Sequence, residues 1–229
     1  MLDSRKLTLL KALIKEYLKT AQPVSSGMLA KTSRIGVSSA TIRNEMAELE
    51  EAGYIVQPHT SSGRIPTESA YELWLADLRD NPPRLKSSEE AQLDQLFSKD
   101  EETYRALAKQ MAELSNNAVF WAFSKNNVYH TGLANLFSHP EFKQLEAVYD
   151  ISVIIDQLEE IIAQIFERLD YREHVLIGSK NPFGSFLSTV LVKYRDQNTI
   201  GVFGLIGPLR MDYDRNLALV SYLKNKFNC

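Results

Sequence analysis

Two short stretches carry residue types suited to reading a polynucleotide groove. Ser38, Ser39, Ala40, Thr41, Arg43 and Asn44 crowd the front of one helical segment, and His59, Thr60, Ser61, Ser62, Gly63 and Arg64 lie in a Gly/Pro/Ser-rich arm that follows it. Ala does not obstruct close approach, Asn bonds an adenine edge, and Arg bonds guanine or a phosphate. Hydroxyls and backbone N–H groups position a protein on the phosphate backbone, and an arginine adds charge in a narrow groove. Alone, the arm reads as an ordinary solvent loop; beside this helix it reads as a DNA contact.

The positioning elements follow from punctuation. Serines and a threonine precede the segment, where side-chain oxygens satisfy free backbone N–H groups, and Gly53 provides an exit at positive φ. The helix is expected from about Ala40 to Ala52. Ile42, Met46 and Leu49 form its buried stripe, and Glu45, Glu48, Glu50 and Glu51 read as a solvated acidic face that keeps the C-terminal half away from phosphates. Upstream, Leu7, Leu10, Leu13, Ile14, Tyr17 and Leu18 predict a helix over Ser4 to Lys19, stopped by Pro23, and Ser25 or Ser26 can cap a short second helix. Tyr54 to Val56 is β-prone and opens a hairpin. Three helices and a hairpin make a winged helix-turn-helix, although apolar spacing alone fits any three-helix bundle.

The run VSSATIRNEMAELEEAGYIVQPHTSSGRIPT and the later IGVFGLIGPLRMDY resemble the two hallmarks of the HrcA family of bacterial heat-inducible transcription repressors. The resemblance implies a homodimer on CIRCE, an inverted-repeat operator in double-stranded DNA, and support of activity by the GroE chaperonin. The DNA contacts read from the residues themselves are Ser38, Ser39, Ala40, Thr41, Arg43, Asn44, His59, Thr60, Ser61, Ser62, Gly63 and Arg64. The chain departs from the pattern at Gly27, where the family carries arginine, and at Ser69, Ala70 and Glu72, where basic residues and glycine are common. It is also short: LSNNAVFWAF passes almost directly to NVYHTGLANLFSHPEF, so early strands of the family's GAF-like domain and its inserted dimerisation segment are expected to be absent.

The fold class is therefore α+β: a winged helix-turn-helix domain over residues 1–80, a linker and helical segment over 81–113, and a reduced GAF-like α/β domain over 114–229. Proline pairs and polar residues in Arg79 to Glu89 mark the boundary. Leu145 to Leu169 carries one broad apolar stripe, read either as a dimer helix or as packing against the domain's own sheet. HVLIG, LSTVLVKY and IGVFGLIG are strands, the last two forming a hairpin through Arg195 to Asn198. A helix capped by Asp212 closes the chain. Arg210 and Asp212 read as loop and cap residues, or as an anion site.

With 44% hydrophobic and 24% charged residues, the composition fits a globular cytoplasmic protein without a membrane segment, and Cys229 is the one cysteine. Four widely spaced histidines, with no P-loop or GxSxG elbow, argue against metal, cofactor and enzyme chemistry. Net charge is −3; residues 1–72 hold nine Lys/Arg and eight Asp/Glu, so tight DNA binding needs local placement of Arg5, Lys6, Arg34, Arg43 and Arg64 and doubling in a dimer. A second domain with a thin core is expected to be marginally stable and to disable the dimer on heating. Two alternatives differ in class: a ligand-sensing winged-helix regulator of another operator, and a protein-interaction module with decayed DNA binding.

Overall fold

The computed structural model describes residues 2–33, 36–60, 62–80, 82–97, 101–196 and 199–227. They form two compact units, 1–81 and 82–229.

The first unit contains α1 (Ser4–Thr20), α2 (Ser26–Thr32), α3 (Ser39–Glu51), a two-stranded antiparallel sheet of β1 (Ile55–Val56) and β2 (Ile65–Pro66), and α4 (Glu68–Asp80). This is the element order of a winged helix-turn-helix. Its helix limits follow local chemistry. Asp3 accepts from Lys6 N at 2.8 Å, Ser25 from Met28 N at 3.2 Å and Ser38 from Thr41 N at 3.2 Å, each supplying an acceptor that a helix start otherwise lacks. Gly53 leaves α3 at φ +78°, as expected. Leu9, Leu10, Leu13, Ile14, Ile42, Leu49 and Trp74 are buried between the helices. At about 1.5–3 kcal/mol per buried apolar side chain, against about 0–1 kcal/mol for an exposed ion pair, this core holds the unit together.

The second unit contains α5 (Ser87–Asp94), α6 (Glu101–Ser115), β3 (Ala118–Ser124), β4 (Asn127–Thr131), α7 (Leu133–Ser138), α8 (Leu145–Asp156), α9 (Leu158–Phe166), β5 (Glu173–Ile177), β6 (Leu187–Asp196), β7 (Thr199–Pro208) and α10 (Tyr213–Lys224). The strands form one antiparallel sheet in the order β4-β3-β7-β6-β5. Lys125 and Asn126 alone separate β3 from β4. Residues 197 and 198 of the turn after Arg195, and Cys229, lie outside the described residues.

Side chains alternate across the sheet, as a period of two requires. Phe120, Leu187, Leu191, Val202 and Ile206 face one hydrophobic layer with Phe142, Ile151, Leu158, Ile162 and Phe183. On the other face, Trp121 stacks on Phe203 with centroids 4.5 Å apart and on Tyr104 of α6 at 5.3 Å, and its Nε1 donates to Tyr194 Oη at 2.9 Å. Phe227 packs against Tyr194 at 4.7 Å. The expectation of a thin core fails here, because both sheet faces are covered by buried side chains of the chain itself.

The stripe over Leu145 to Leu169 is two helices rather than one, broken at Gln157. Ile151, Leu158, Ile162 and Phe166 pack into the unit's own core, which favours the internal reading for most of the stripe. Buried Lys193 donates from Nζ to the Phe166 carbonyl at 2.9 Å, placing a cation at the C-terminus of α9, where the helix dipole favours it. Stretch 82–97 carries α5, which is tied to α10 by Arg215 on Glu89 and by Tyr222 on Asp94 at 2.7 Å.

Arg210 and Asp212 act within the fold. Arg210 forks onto Glu141, its Nη2 reaching Oε2 at 3.2 Å, and Asp212 caps α10 by accepting from Arg215 N at 3.1 Å. Beside this pair, His139 Nε2 meets the Asn116 carbonyl at 2.8 Å. Burial lowers the His139 pKa below the ordinary histidine value; the Asn116 carbonyl and Glu141 oppose this, and Arg210 reinforces it.

Since the folded state of His139 binds its proton more weakly than the unfolded state, its stability contribution is complete above about pH 6.5 and is lost as pH falls. Melting of the full chain at pH 7 and pH 5 is expected to show a lower midpoint for the second unit at pH 5, and His139→Gln is expected to reduce that difference.

Candidate nucleic-acid interface

Ser38 stands at the N-cap of α3 and Ser39 begins it; both are exposed, as is Ala40. Thr41 is half-buried, with its hydroxyl 3.0 Å from Ser38 Oγ. Arg43 and Asn44 are exposed, and neither side chain has an ion pair or hydrogen bond among the described residues. Ile42, Met46 and Leu49 face inward. The helix thus presents a small polar front with one uncommitted guanidinium and one uncommitted amide.

Of the acidic residues behind that front, Glu48 and Glu51 are exposed as expected from their spacing, whereas Glu45 is buried and Glu50 half-buried. Glu45 is 3% exposed, and Arg5 Nε of α1 lies 2.5 Å from its carboxylate. Glu48 holds Lys6 at 2.6 Å, an interaction that raises the lysine's pKa, and Glu50 holds Arg64 Nε at 2.8 Å. Of these four carboxylates, Glu51 alone is left without a partner among the described residues. The reason is tertiary: α1 lays two cations across α3 and the arm lays one. Arg5, Lys6 and Arg64, read from sequence as phosphate contacts, are therefore engaged internally. Arg34 lies outside the described residues.

The arm is built inward as well as outward. Gln57 Nε2 donates to the carbonyls of Thr60 at 2.9 Å and Ser62 at 3.0 Å, and Ser62 Oγ donates to the His59 carbonyl at 2.7 Å. His59 and Thr60 remain exposed at the tip. Ser61 lies outside the described residues. Arg64 exchanges two backbone hydrogen bonds with Val24, both 2.8 Å, so the arm is pinned to the loop before α2. A Cβ on Gly63 would stand 2.5 Å from the carbonyl carbon and oxygen of Val24. Gly63 is thus required by close backbone approach. Sequence reasoning missed Gln57, Glu50 and Val24 as organisers of the arm; Gln and Glu at the two ends of the turn were the available signal.

Among the described residues no group of His, Cys, Asp and Glu is arranged to hold a metal ion, and no helix is long and apolar enough to cross a membrane.

Three helices and a two-stranded sheet, with an exposed polar front on the third helix, thus precede a sheet-and-helix unit. The chain belongs to the HrcA family: the family model described as the HrcA protein C terminal domain matches residues 78–217. It is 24% identical to the heat-inducible transcription repressor HrcA of Caldanaerobacter subterraneus subsp. tengcongensis over 331 positions, covering 99% of this chain and 96% of that protein. Since this chain has 229 residues, at least 102 of those 331 positions have no counterpart here, and the shortening is internal. The repressor of the same name from Clostridium perfringens strain 13 is 52% identical over 90 residues, covering 39% of this chain and 26% of that protein. A solved crystal structure of a hypothetical protein shares the fold, with a TM-score of 0.82, 20% identity and coverage of 99% of this chain and 97% of that one.

Removing the Arg5 guanidinium leaves a buried carboxylate without its cation. Arg5→Ala is expected to cost about 1–3 kcal/mol, at the lower end because Arg5 itself is largely exposed; denaturant unfolding of the first unit measures it. Gly63→Ala is expected to force the arm off Val24, which faster amide exchange at Val24 and Arg64 would report.

Proposed function

We propose that this chain represses heat-shock chaperone genes by binding a CIRCE-type inverted repeat as a homodimer in the cytoplasm, with the GroE chaperonin as a supporting partner. The front of α3, Ser38, Ser39, Ala40, Thr41, Arg43 and Asn44, enters the major groove. His59, Thr60 and Ser61 of the arm reach the flanking backbone, while Ser62, Gly63 and Arg64 shape the arm that carries them. The observation that carries this reading is the exposed, uncommitted Arg43–Asn44 pair at a capped helix start, on a helix where Glu45, Glu48 and Glu50 are already paired. Neutralising those carboxylates within the unit lowers their repulsion of phosphate. The family membership and the repressor names of the relatives support the same function.

Pairing supplies the second half-site that an inverted repeat demands. We assign it to the outer face of α8, where Leu145 is 81% and Tyr149 69% exposed, with Val148 and Ser152 completing an i, i+3, i+4, i+7 stripe. A two-fold axis sets this apolar stripe against its own copy, and the flanking Glu146 and Asp150 repel each other across it. Salt should therefore strengthen pairing while it weakens DNA binding.

Titration with a CIRCE-like duplex and a scrambled duplex tests the proposal. The operator is expected to bind more tightly, and Arg43→Ala to cost about 1–3 kcal/mol per half-site; equal affinity of the wild-type chain for both duplexes would overturn the reading. In light scattering, the Leu145→Asp, Tyr149→Ser double variant is expected to be monomeric at concentrations where the wild-type chain is dimeric.

A further inference from the structure

We infer that Glu50 is a positioning residue that fixes the arm to the groove helix, and that Gln57 carries this constraint to the arm's tip. The inference rests on the DNA-binding reading above for its consequence, though not for its geometry.

Glu50 is the penultimate residue of α3, so its carboxylate belongs to the frame that presents Arg43 and Asn44. One oxygen, Oε1, accepts from the backbone N of Gln57 at 3.0 Å, immediately after β1. The other, Oε2, accepts from Arg64 Nε at 2.8 Å, immediately before β2. A single carboxylate therefore holds both sides of the arm's neck. From there the Gln57 amide bridges to the carbonyls of Thr60 and Ser62 at 2.9 and 3.0 Å, which sets the loop bearing His59 and Thr60. On its far side Arg64 is paired with Val24 through two backbone hydrogen bonds. The neck is thus clamped to α3 by side chains and to the loop before α2 by backbone.

These contacts are only partly shielded: the Glu50 and Arg64 side chains are 32% and 22% exposed. Such an ion pair adds little to global stability. Its effect is on geometry, since a groove-reading helix and a wing must be held in one relative placement for both to meet the same duplex.

The sign of the effect separates this role from plain electrostatics. If Glu50 were merely an acid near DNA, removing it would raise affinity for every duplex, because one repulsion disappears. If it positions the arm, its removal lowers affinity for the operator and leaves affinity for unrelated duplex equal or higher. Arg64, freed from Glu50, would then add to non-specific attraction.

The test uses the full chain with Glu50→Ala, Glu50→Gln and Gln57→Leu, titrated with the CIRCE-like and scrambled duplexes, with melting and amide hydrogen exchange on the DNA-free protein. The expected result is at least a tenfold loss of operator affinity for Glu50→Ala with no loss on scrambled duplex. Glu50→Gln, which keeps one acceptor oxygen, should recover part of it. Gln57→Leu leaves the ion pair intact and should lose operator affinity selectively, which keeps the test decisive if Glu50→Ala unfolds. Exchange of the Gln57 amide should accelerate in Glu50→Ala. Unchanged exchange at Gln57, or equal or higher operator affinity in both Glu50→Ala and Gln57→Leu, would overturn the inference. Failure of the wild-type chain to distinguish the duplexes would instead overturn the function reading and leave the exchange result to judge the clamp.

Discussion

The first unit depends on how α3 disposes of its carboxylates. A helix that approaches DNA with Glu45, Glu48, Glu50 and Glu51 would meet strong repulsion if all four were solvated and unpaired. Here Glu45 is buried under Arg5, Glu48 is held by Lys6 and Glu50 by Arg64. Each pairing also joins α3 to another element, α1 in two cases and the arm in the third. The apolar core supplies most of the stability, so the chief effect of the pairs is on orientation. They fix the angle of α3 against α1 and the seat of the arm, and they leave the front of α3, with Arg43 and Asn44, as its uncommitted polar surface.

The same arrangement limits what DNA binding can draw on. Cations committed to carboxylates within the unit contribute little counterion release unless their pairs break. Together with a balance of nine Lys/Arg to eight Asp/Glu over residues 1–72, this favours recognition by two copies with modest contacts each over a single strongly basic unit. The at least 102 positions absent relative to the Caldanaerobacter repressor are lost internally, and the exposed Leu145 and Tyr149 mark where the shorter chain keeps an apolar surface.

Much of the fold was legible because it is written locally. Asp3, Ser25, Ser38 and Asp212 announce helix starts, Gly53 an exit, and β-branched runs the strands β6 and β7. The partners of charged residues were not legible. On a helical wheel Glu45 looks solvated, and only the crossing of α1 buries it; the pairing of Arg64 with Glu50 exists only once the arm folds back. That the Gly63 backbone lies too close to Val24 for any side chain was not legible either. The break at Gln157 carries no proline or glycine, so the stripe from Leu145 to Leu169 reads as one helix although α8 and α9 are two. The strength of the second core was underestimated because Trp121, Tyr104, Tyr194, Phe203 and Phe227 are far apart in sequence and meet across the sheet.

The central proposal is that Arg5, Lys6 and Arg64, each paired with a carboxylate of α3, keep those pairs when DNA binds and do not neutralise phosphates. The salt dependence of operator binding by the wild-type chain tests it most directly. With few phosphate contacts per copy, a plot of log K against log salt is predicted to have a slope of about −4 or shallower. A slope steeper than about −8 would mean that the internally paired cations are released onto the backbone, and it would contradict the account.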